Sequence, residues 1–116
     1  MNPLTILVAD DDAPSLEMIA MFLEMSGHHV HTAADGLTAL RLAGELKPDL
    51  LILDSSMQGM SGTDVARRVR EDAALAHCRL VALSGRDACD AEQADLFDRY
   101  LTKPVSPDDL AQALRV

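Results

Sequence analysis

The stretch ILVADDD, residues 6–12, decides the fold, because a short apolar run ends there in three aspartates. Three later apolar runs end in a similar way: LLILD ends in Asp54, LVALS ends in Ser84, and YLT is followed by Lys103. In an open sheet of parallel strands, ligands bind outside the carboxyl ends of the strands. If these runs are such strands, the chain collects carboxylates, a hydroxyl and an ammonium group in one pocket.

The apolar runs alternate with segments whose apolar residues repeat at helical spacing, which is typical of successive βα units. We predict an α/β fold, a doubly wound (βα)5 arrangement with a five-stranded parallel sheet and right-handed crossovers. The predicted strands are residues 4–9, 28–33, 50–53, 80–83 and 100–102. The predicted helices begin near Pro14, after the cap Asp35, after the loop 58–62, at residue 86 and after the cap Ser106.

Two of the strands carry patterns that predict their place in the sheet. His29, Val30 and His31 alternate in the way expected of an edge strand with one solvated face. Residues 50–53 are continuously apolar, which is typical of a strand buried on both faces.

Two helices carry recognisable end signals. Gly27 is well placed to end the first helix. Ser106, Pro107 and Asp109 form a capping box at the start of the last helix, with proline at the first helical position.

Length and composition limit the class of protein. The 116 residues fit one domain, so we take residues 1–116 as a single domain. The net charge of −9 repels phosphate backbones, so we expect no direct binding of nucleic acid. The apolar stretches are far shorter than the roughly 20 residues that cross a bilayer, so we expect no membrane insertion. The N-terminus does not read as a signal peptide.

The two cysteines predict reduced thiols rather than a disulfide or a metal site. Cys78 and Cys89 are 11 residues apart and form no CxxC pair. We therefore expect free thiols and a cytoplasmic protein.

The predicted cluster of Asp10, Asp11 and Asp54 needs a positive partner. Two carboxylates about 5 Å apart repel by roughly 3 kcal/mol at an effective dielectric constant of about 20. Protonation or a bound cation must relieve this repulsion. Oxygen ligands in a half-open site that keeps water molecules suit Mg²⁺.

A magnesium ion beside an aspartate suits phosphoryl transfer. Asp54 is a possible nucleophile, because aspartates form acyl phosphates in other enzymes. The charge on the transferred group would be met by the metal, by the Lys103 ammonium group and by the Ser84 hydroxyl with nearby backbone amides. Each residue also has a plain interpretation, as a helix cap, a turn residue or a solvated lysine. Their joint placement after the first, third, fourth and fifth strands favours a site.

Four blocks of this sequence, ILVADDD, PDLLILDSSMQGMSG, LVALSG and DRYLTKP, resemble in order and spacing the motifs of the receiver (response regulator, CheY-like) domain of two-component phosphorelay signalling. The resemblance covers essentially the entire chain. It implies a flavodoxin-like sheet in the order 2-1-3-4-5. It also implies phosphoryl transfer from a histidine kinase or a histidine phosphotransfer protein, and control of a downstream output protein or domain.

The resemblance also implies roles for individual residues. Asp54 matches the phosphoacceptor, and Asp10 and Asp11 match the acidic pair that, with Asp54, holds Mg²⁺. Ser56 matches the position whose backbone carbonyl binds the metal.

Further positions match the switch of that family. Ser84 matches the hydroxyl that moves to the phosphoryl group, and Tyr100 matches the aromatic residue that then turns inward. Lys103 matches the lysine of the site, and its bond to Pro104 is commonly cis in such domains. The face formed by residues 80–83, 86–95 and 100–102 would then be remodelled.

Three positions depart from the family pattern. Gln58 stands where many relatives have proline, and Leu96 stands where glycine is common. The third is Arg86, two residues past Ser84. The resemblance implies that Arg86 and Ser56 line the route by which water attacks the phosphoryl group, so we expect both residues to modulate the lifetime of the phosphorylated state.

Other functions and arrangements stay open at this point. A pseudo-receiver would use the same fold only for phosphate-independent protein interaction. A phosphatase of the haloacid-dehalogenase type would need a DxDx[TV] motif, but Asp12 is followed by Ala13 and Pro14. The domain could be a stand-alone regulator or a receiver excised from a hybrid kinase or larger regulator. The short final helix favours excision.

Overall fold

The computed structural model describes residues 3–55, 57, 59–84, 96–103 and 105–114. Five strands and four α-helices are formed within these residues. The strands are β1 (Thr5–Ala9), β2 (His29–Ala33), β3 (Leu50–Asp54), β4 (Arg79–Ser84) and β5 (Arg99–Thr102). The helices are α1 (Ala13–Met25), α2 (Gly36–Leu46), α3 (Gly62–Glu71) and α4 (Pro107–Ala113), with a 3-10 turn at Ala73–Leu75.

The five strands form one parallel sheet in the order β2-β1-β3-β4-β5, which confirms the predicted fold class and strand order. The register aligns the carboxyl ends of the strands. Ala9 pairs with Leu53, Asp54 with Leu83, and Ser84 with Thr102. The residues that follow β1, β3, β4 and β5 therefore meet at one edge of the sheet.

Two apolar layers hold the helices against the sheet, because successive side chains of a strand point to opposite faces. β3 is buried along its whole length, as its continuous apolar sequence predicts. One layer packs α2 and α3 against alternate residues of the strands, among them Leu7, Ala9, Leu51, Leu53, Ala43 and Val65. The other layer packs α1 and α4 against the opposite face, among them Ile6, Val8, Ile52, Ile19, Leu23 and Leu110.

Side-chain caps fix the helix starts. Asp12 Oδ2 accepts from the Ser15 amide at 3.1 Å, and Asp35 Oδ1 accepts from the Thr38 amide at 2.7 Å. The capping box of α4 is confirmed, with Ser106 and Asp109 each bonding the backbone amide of the other. Such caps satisfy amide groups that have no partner within the helix.

Some boundaries differ from the sequence-based expectation. Gly62, expected in the loop, is the first residue of α3, because Ser61 supplies the cap by accepting from the Asp64 amide at 3.2 Å. The 3-10 turn after α3 was not expected. The helix expected at residues 86–95 lies outside the described residues.

β2 is an edge strand, as predicted from its alternation, and pairs only with β1 in the sheet order. His29, His31 and Thr32 are exposed, so solvent reaches both faces of this strand rather than one. Among the described helices, none is long and apolar enough to cross a membrane.

Candidate active site

Three carboxylates meet at the carboxyl end of β1 and β3. Asp10 and Asp11 directly follow β1, and Asp54 is the last residue of β3. One carboxylate oxygen from each residue lies within 4.8 Å of the others. Asp10 and Asp54 are buried, with 0% and 3% of their surface exposed, whereas Asp11 is exposed. The cluster is therefore open to solvent on the Asp11 side.

Lys103 reaches this cluster from the end of β5. Its Nζ lies 2.9 Å from Oδ2 of Asp10 and 3.3 Å from Oδ2 of Asp54. The lysine side chain is 26% exposed, so its ammonium group is partly shielded from water. One ammonium group is thus shared between the two buried carboxylates.

The surroundings of Asp10 keep it ionised. Burial alone raises the pKa of this carboxyl group. Two groups lower the pKa: the Asp12 amide, which donates to Asp10 Oδ1 at 2.9 Å, and the Lys103 ammonium group. Together they outweigh the effect of burial, so the pKa of Asp10 lies below its usual range. For Lys103, burial lowers the pKa, but the hydrogen bond to Asp10 and the charge of Asp54 raise it by a larger amount. The pKa of Lys103 therefore lies above its usual range. Asp10 and Lys103 are both charged at neutral pH.

The donor set fits a divalent, oxygen-preferring cation. Three carboxylates and one ammonium group leave two net negative charges, which one divalent ion would neutralise. Oδ2 of Asp10 is buried, and its close contact is the ion pair with Lys103 at 2.9 Å. Carboxylate oxygens with an open side for water are the ligands that Mg²⁺ prefers. Asp10, Asp11 and Asp54 are the residues that would hold it.

Two glycines let helix starts approach this end of the sheet. A Cβ atom at Gly62 would overlap the carbonyl oxygen of Asp54, and one at Gly36 would overlap the carbonyl oxygen of Met60. Only a residue without a side chain fits these contacts without a backbone shift. The start of α3 therefore packs directly on the backbone of Asp54. The role of neither glycine was predicted from the sequence, although the short GMSG segment after Asp54 was a visible signal for Gly62.

The structure describes some of the remaining predicted site residues and not others. The backbone of Ser84 ends β4 and pairs with Thr102 of β5, next to Lys103. Tyr100 is half-buried, and its ring packs edge-on against Phe97, with centroids 5.5 Å apart and planes inclined at 62°. The predictions for Ser56, Gln58, Arg86, Cys89 and Pro104 concern positions outside the described residues. Cys78 is a buried free thiol.

A polar clamp that the sequence did not reveal fixes the start of β5. Arg70, near the end of α3, donates to the carbonyl oxygens of Leu96 at 3.0 Å and Cys78 at 3.2 Å. Its third contact is an ion pair with Asp98 at 2.9 Å, and Asp98 also accepts from the Leu80 amide at 2.8 Å. Leu96 is thereby tied to α3 through its carbonyl group.

Comparison with known proteins agrees with this geometry. Residues 6–115 match the family described as the response regulator receiver domain. The phosphate regulon transcriptional regulatory protein PhoB of Pseudomonas aeruginosa is 37% identical over 114 residues, which are 96% of this chain and 50% of that protein. The chemotaxis response regulator CheY4 of Vibrio cholerae superposes with a TM-score of 0.91 at 26% identity, over 98% of both chains.

A third relative was solved with a ligand. The response regulator TrrA of Thermotoga maritima, in complex with Mg²⁺ and BeF, superposes with a TM-score of 0.87 at 28% identity, over 96% of both chains. The chain belongs to the response regulator receiver domain family. It is a receiver domain of two-component signalling, a phosphoacceptor switch rather than an ordinary enzyme, and it spans about half the length of the curated relatives it matches.

Proposed function

We propose that Asp54 is the phosphoacceptor of this receiver domain, that Asp10, Asp11 and Asp54 hold Mg²⁺, and that Lys103 neutralises the transferred group. The main support is the position of Lys103 Nζ between the oxygens of Asp10 and Asp54, at 2.9 Å and 3.3 Å. A cation at that point lies beside the attacking oxygen and also balances the neighbouring carboxylate. Electrostatic positioning of this kind supplies most of the catalysis in phosphoryl transfer.

The proposed reaction transfers one phosphoryl group from a phosphohistidine. A carboxylate oxygen of Asp54 attacks the phosphorus atom and the nitrogen–phosphorus bond breaks. The electron pair stays with the imidazole of the donor, which leaves as a neutral ring because its other nitrogen carries a proton. Lys103 stays protonated throughout, because its pKa is raised above the usual range, and it pairs with a phosphoryl oxygen. When bound, Mg²⁺ neutralises further charge on the phosphoryl oxygens.

The acyl phosphate on Asp54 would later be hydrolysed. A water molecule attacks the phosphorus atom, the bond to the Asp54 oxygen breaks, and inorganic phosphate leaves with the carboxylate restored. The domain would thus catalyse its own phosphorylation and slow dephosphorylation. Ser56, through its backbone carbonyl, would complete the metal site, and with Arg86 it would modulate the lifetime of the phosphorylated state.

Phosphorylation would act as a switch through charge. It adds about one negative charge and strong hydrogen-bond acceptors at Asp54. Ser84, at the end of β4, would bond a phosphoryl oxygen, and Tyr100 on the neighbouring strand would rotate. Such a change is a shift between conformations that exist before phosphorylation. The face around β4 and β5 would present the result to a partner.

The proposal extends to the setting of the domain. Residues 1–116 would form a single receiver domain in the cytoplasm. Its partners would be a histidine kinase or histidine phosphotransfer protein as donor, and an output protein or domain as target. This domain itself would contact no nucleic acid and insert into no membrane.

Mass spectrometry after incubation with Mg²⁺ and acetyl phosphate tests the proposal. The wild type should gain one phosphoryl group, and Asp54→Asn should gain none. Asp35→Asn is the matched control, because Asp35 is an exposed aspartate whose side chain caps α2. Uptake by the Asp54 variant equal to that of the control would refute the assignment. Release of many phosphates per chain would instead identify a phosphatase.

A further inference from the structure

The edge strand β2 presents two histidines on the same face. Side chains two positions apart in a strand point the same way, so His29 and His31 share a face with Ala33. Ala33 is buried in the layer that also contains Ala39 and Ala43 of α2. The two histidines are exposed. They therefore lie side by side at the open edge of the sheet. Their face of β2 is the one that α2 covers at Ala33.

The spacing of the pair suits chelation of one ion. Residues two apart in a strand are separated by about 6.6 Å, twice the rise of roughly 3.3 Å per residue. Two exposed imidazoles at this separation can turn their ring nitrogens towards a common point. The β1 residues paired with them are Thr5 and Leu7, so no charged side chain stands beside either histidine on that strand.

We propose that His29 and His31 form a two-imidazole site for a late first-row divalent transition metal, with Zn²⁺ as its simplest occupant. Imidazole nitrogen suits zinc, copper and nickel, whereas carboxylate oxygen suits magnesium. Water would complete the coordination of the ion. The net charge of −9 favours accumulation of cations near the chain. This site is chemically distinct from the carboxylate cluster, and it does not depend on the function of Asp54.

Calorimetric titration with Zn²⁺ in a large excess of Mg²⁺ tests the site, because Mg²⁺ competes for carboxylate oxygens and hardly for imidazole. The wild type should bind one Zn²⁺ under these conditions. His29→Ala and His31→Ala should each weaken binding about tenfold or more, because loss of either imidazole removes the chelate effect. His77→Ala is the matched control, since His77 is exposed and lies outside β2. Asp54→Asn should bind Zn²⁺ as the wild type does.

Nuclear magnetic resonance of the wild type gives a second readout that needs no variant. Zn²⁺ should shift the ring resonances of His29 and His31 together, at the same metal concentration, while those of His28 and His77 stay in place. Equal Zn²⁺ affinity in the two β2 variants and the wild type would overturn the proposal. So would ring shifts that do not involve both histidines. A lack of phosphorylation at Asp54 would leave this result unchanged, so the two proposals fail separately.

Discussion

Replacing Lys103 by methionine should destabilise the domain and change how its stability depends on pH. Methionine keeps most of the length of the side chain but removes the ammonium group that contacts Asp10 at 2.9 Å and Asp54 at 3.3 Å. Breaking a buried ion pair by removing one partner costs about 3–5 kcal/mol. Because 26% of the lysine side chain is exposed, we expect a smaller loss than for a fully buried pair, about 2–4 kcal/mol at pH 7.

The sign of the pH dependence follows from the two pKa shifts. Asp10 has a lowered pKa in the folded state, so its stabilising effect is present above the unfolded pKa and is lost as pH falls through the folded pKa. Lys103 has a raised pKa, so its effect is present below the unfolded pKa and is lost as pH rises through the folded pKa. The difference between wild type and variant should therefore be largest near neutral pH. It should shrink in acid, where the carboxylates become protonated, and in strong alkali.

Urea unfolding followed by circular dichroism, in a chelating buffer at several pH values, measures this difference. Lys47→Met is the matched control, because Lys47 is the one other lysine of the sequence and is exposed. Mg²⁺ should stabilise the Lys103 variant more than the wild type, since it supplies the missing positive charge and binds only the folded cluster. A loss for Lys103→Met no larger than for Lys47→Met, or a loss that is constant with pH, would refute the reasoning.

Four further predictions follow from other contacts. Gly62→Ala should cost about 1–3 kcal/mol in urea unfolding and should also slow phosphorylation by acetyl phosphate, because the new methyl group displaces the backbone of Asp54, the proposed phosphoacceptor. Arg70→Met should lower the free energy of unfolding by about 1–3 kcal/mol, because it removes the contacts of the clamp. Arg67→Met removes an exposed ion pair at 3.5 Å and should change the free energy of unfolding by no more than about 0.5 kcal/mol. Equal losses of stability in the two variants would contradict the role of the clamp. Burial raises the pKa of the Cys78 thiol to about 12, so folded protein should resist alkylation there at pH 8 and unfolded protein should not, as peptide mass mapping would show. Ser84→Ala should still accept a phosphoryl group but show smaller amide shifts in β5 on phosphorylation than the wild type does; shifts of equal size would exclude the hydroxyl from the switch.

The fold could be predicted because each strand and most helix starts carry a local signal. The apolar run before Asp10 defines β1, and the capping box at Ser106 defines the start of α4. The start of α3 was misplaced, because Ser61 and Gly62 are also common loop residues and only the cap geometry separates the two cases.

The meeting of Asp10, Asp54 and Lys103 at one edge of the sheet could be predicted from the sequence, but the contacts among them could not. Strand register brings Asp10 level with Asp54, and that follows from pattern alone. That Lys103 bonds Asp10 more closely than Asp54 depends on a flexible side chain and on tertiary distances. The clamp between Arg70 and Asp98 joins positions 28 residues apart on different elements, so no local periodicity could reveal it.

The edge-on packing of Tyr100 against Phe97 allows β5 to be followed by fluorescence. The sequence contains one tyrosine and no tryptophan, so the intrinsic ultraviolet fluorescence of the protein comes almost entirely from a single ring. That ring lies on β5, one residue before Leu101 of the core and three residues before Lys103. Any rearrangement of this strand will therefore change the emission or anisotropy of one known fluorophore, and its kinetics can be followed in solution without attaching a dye.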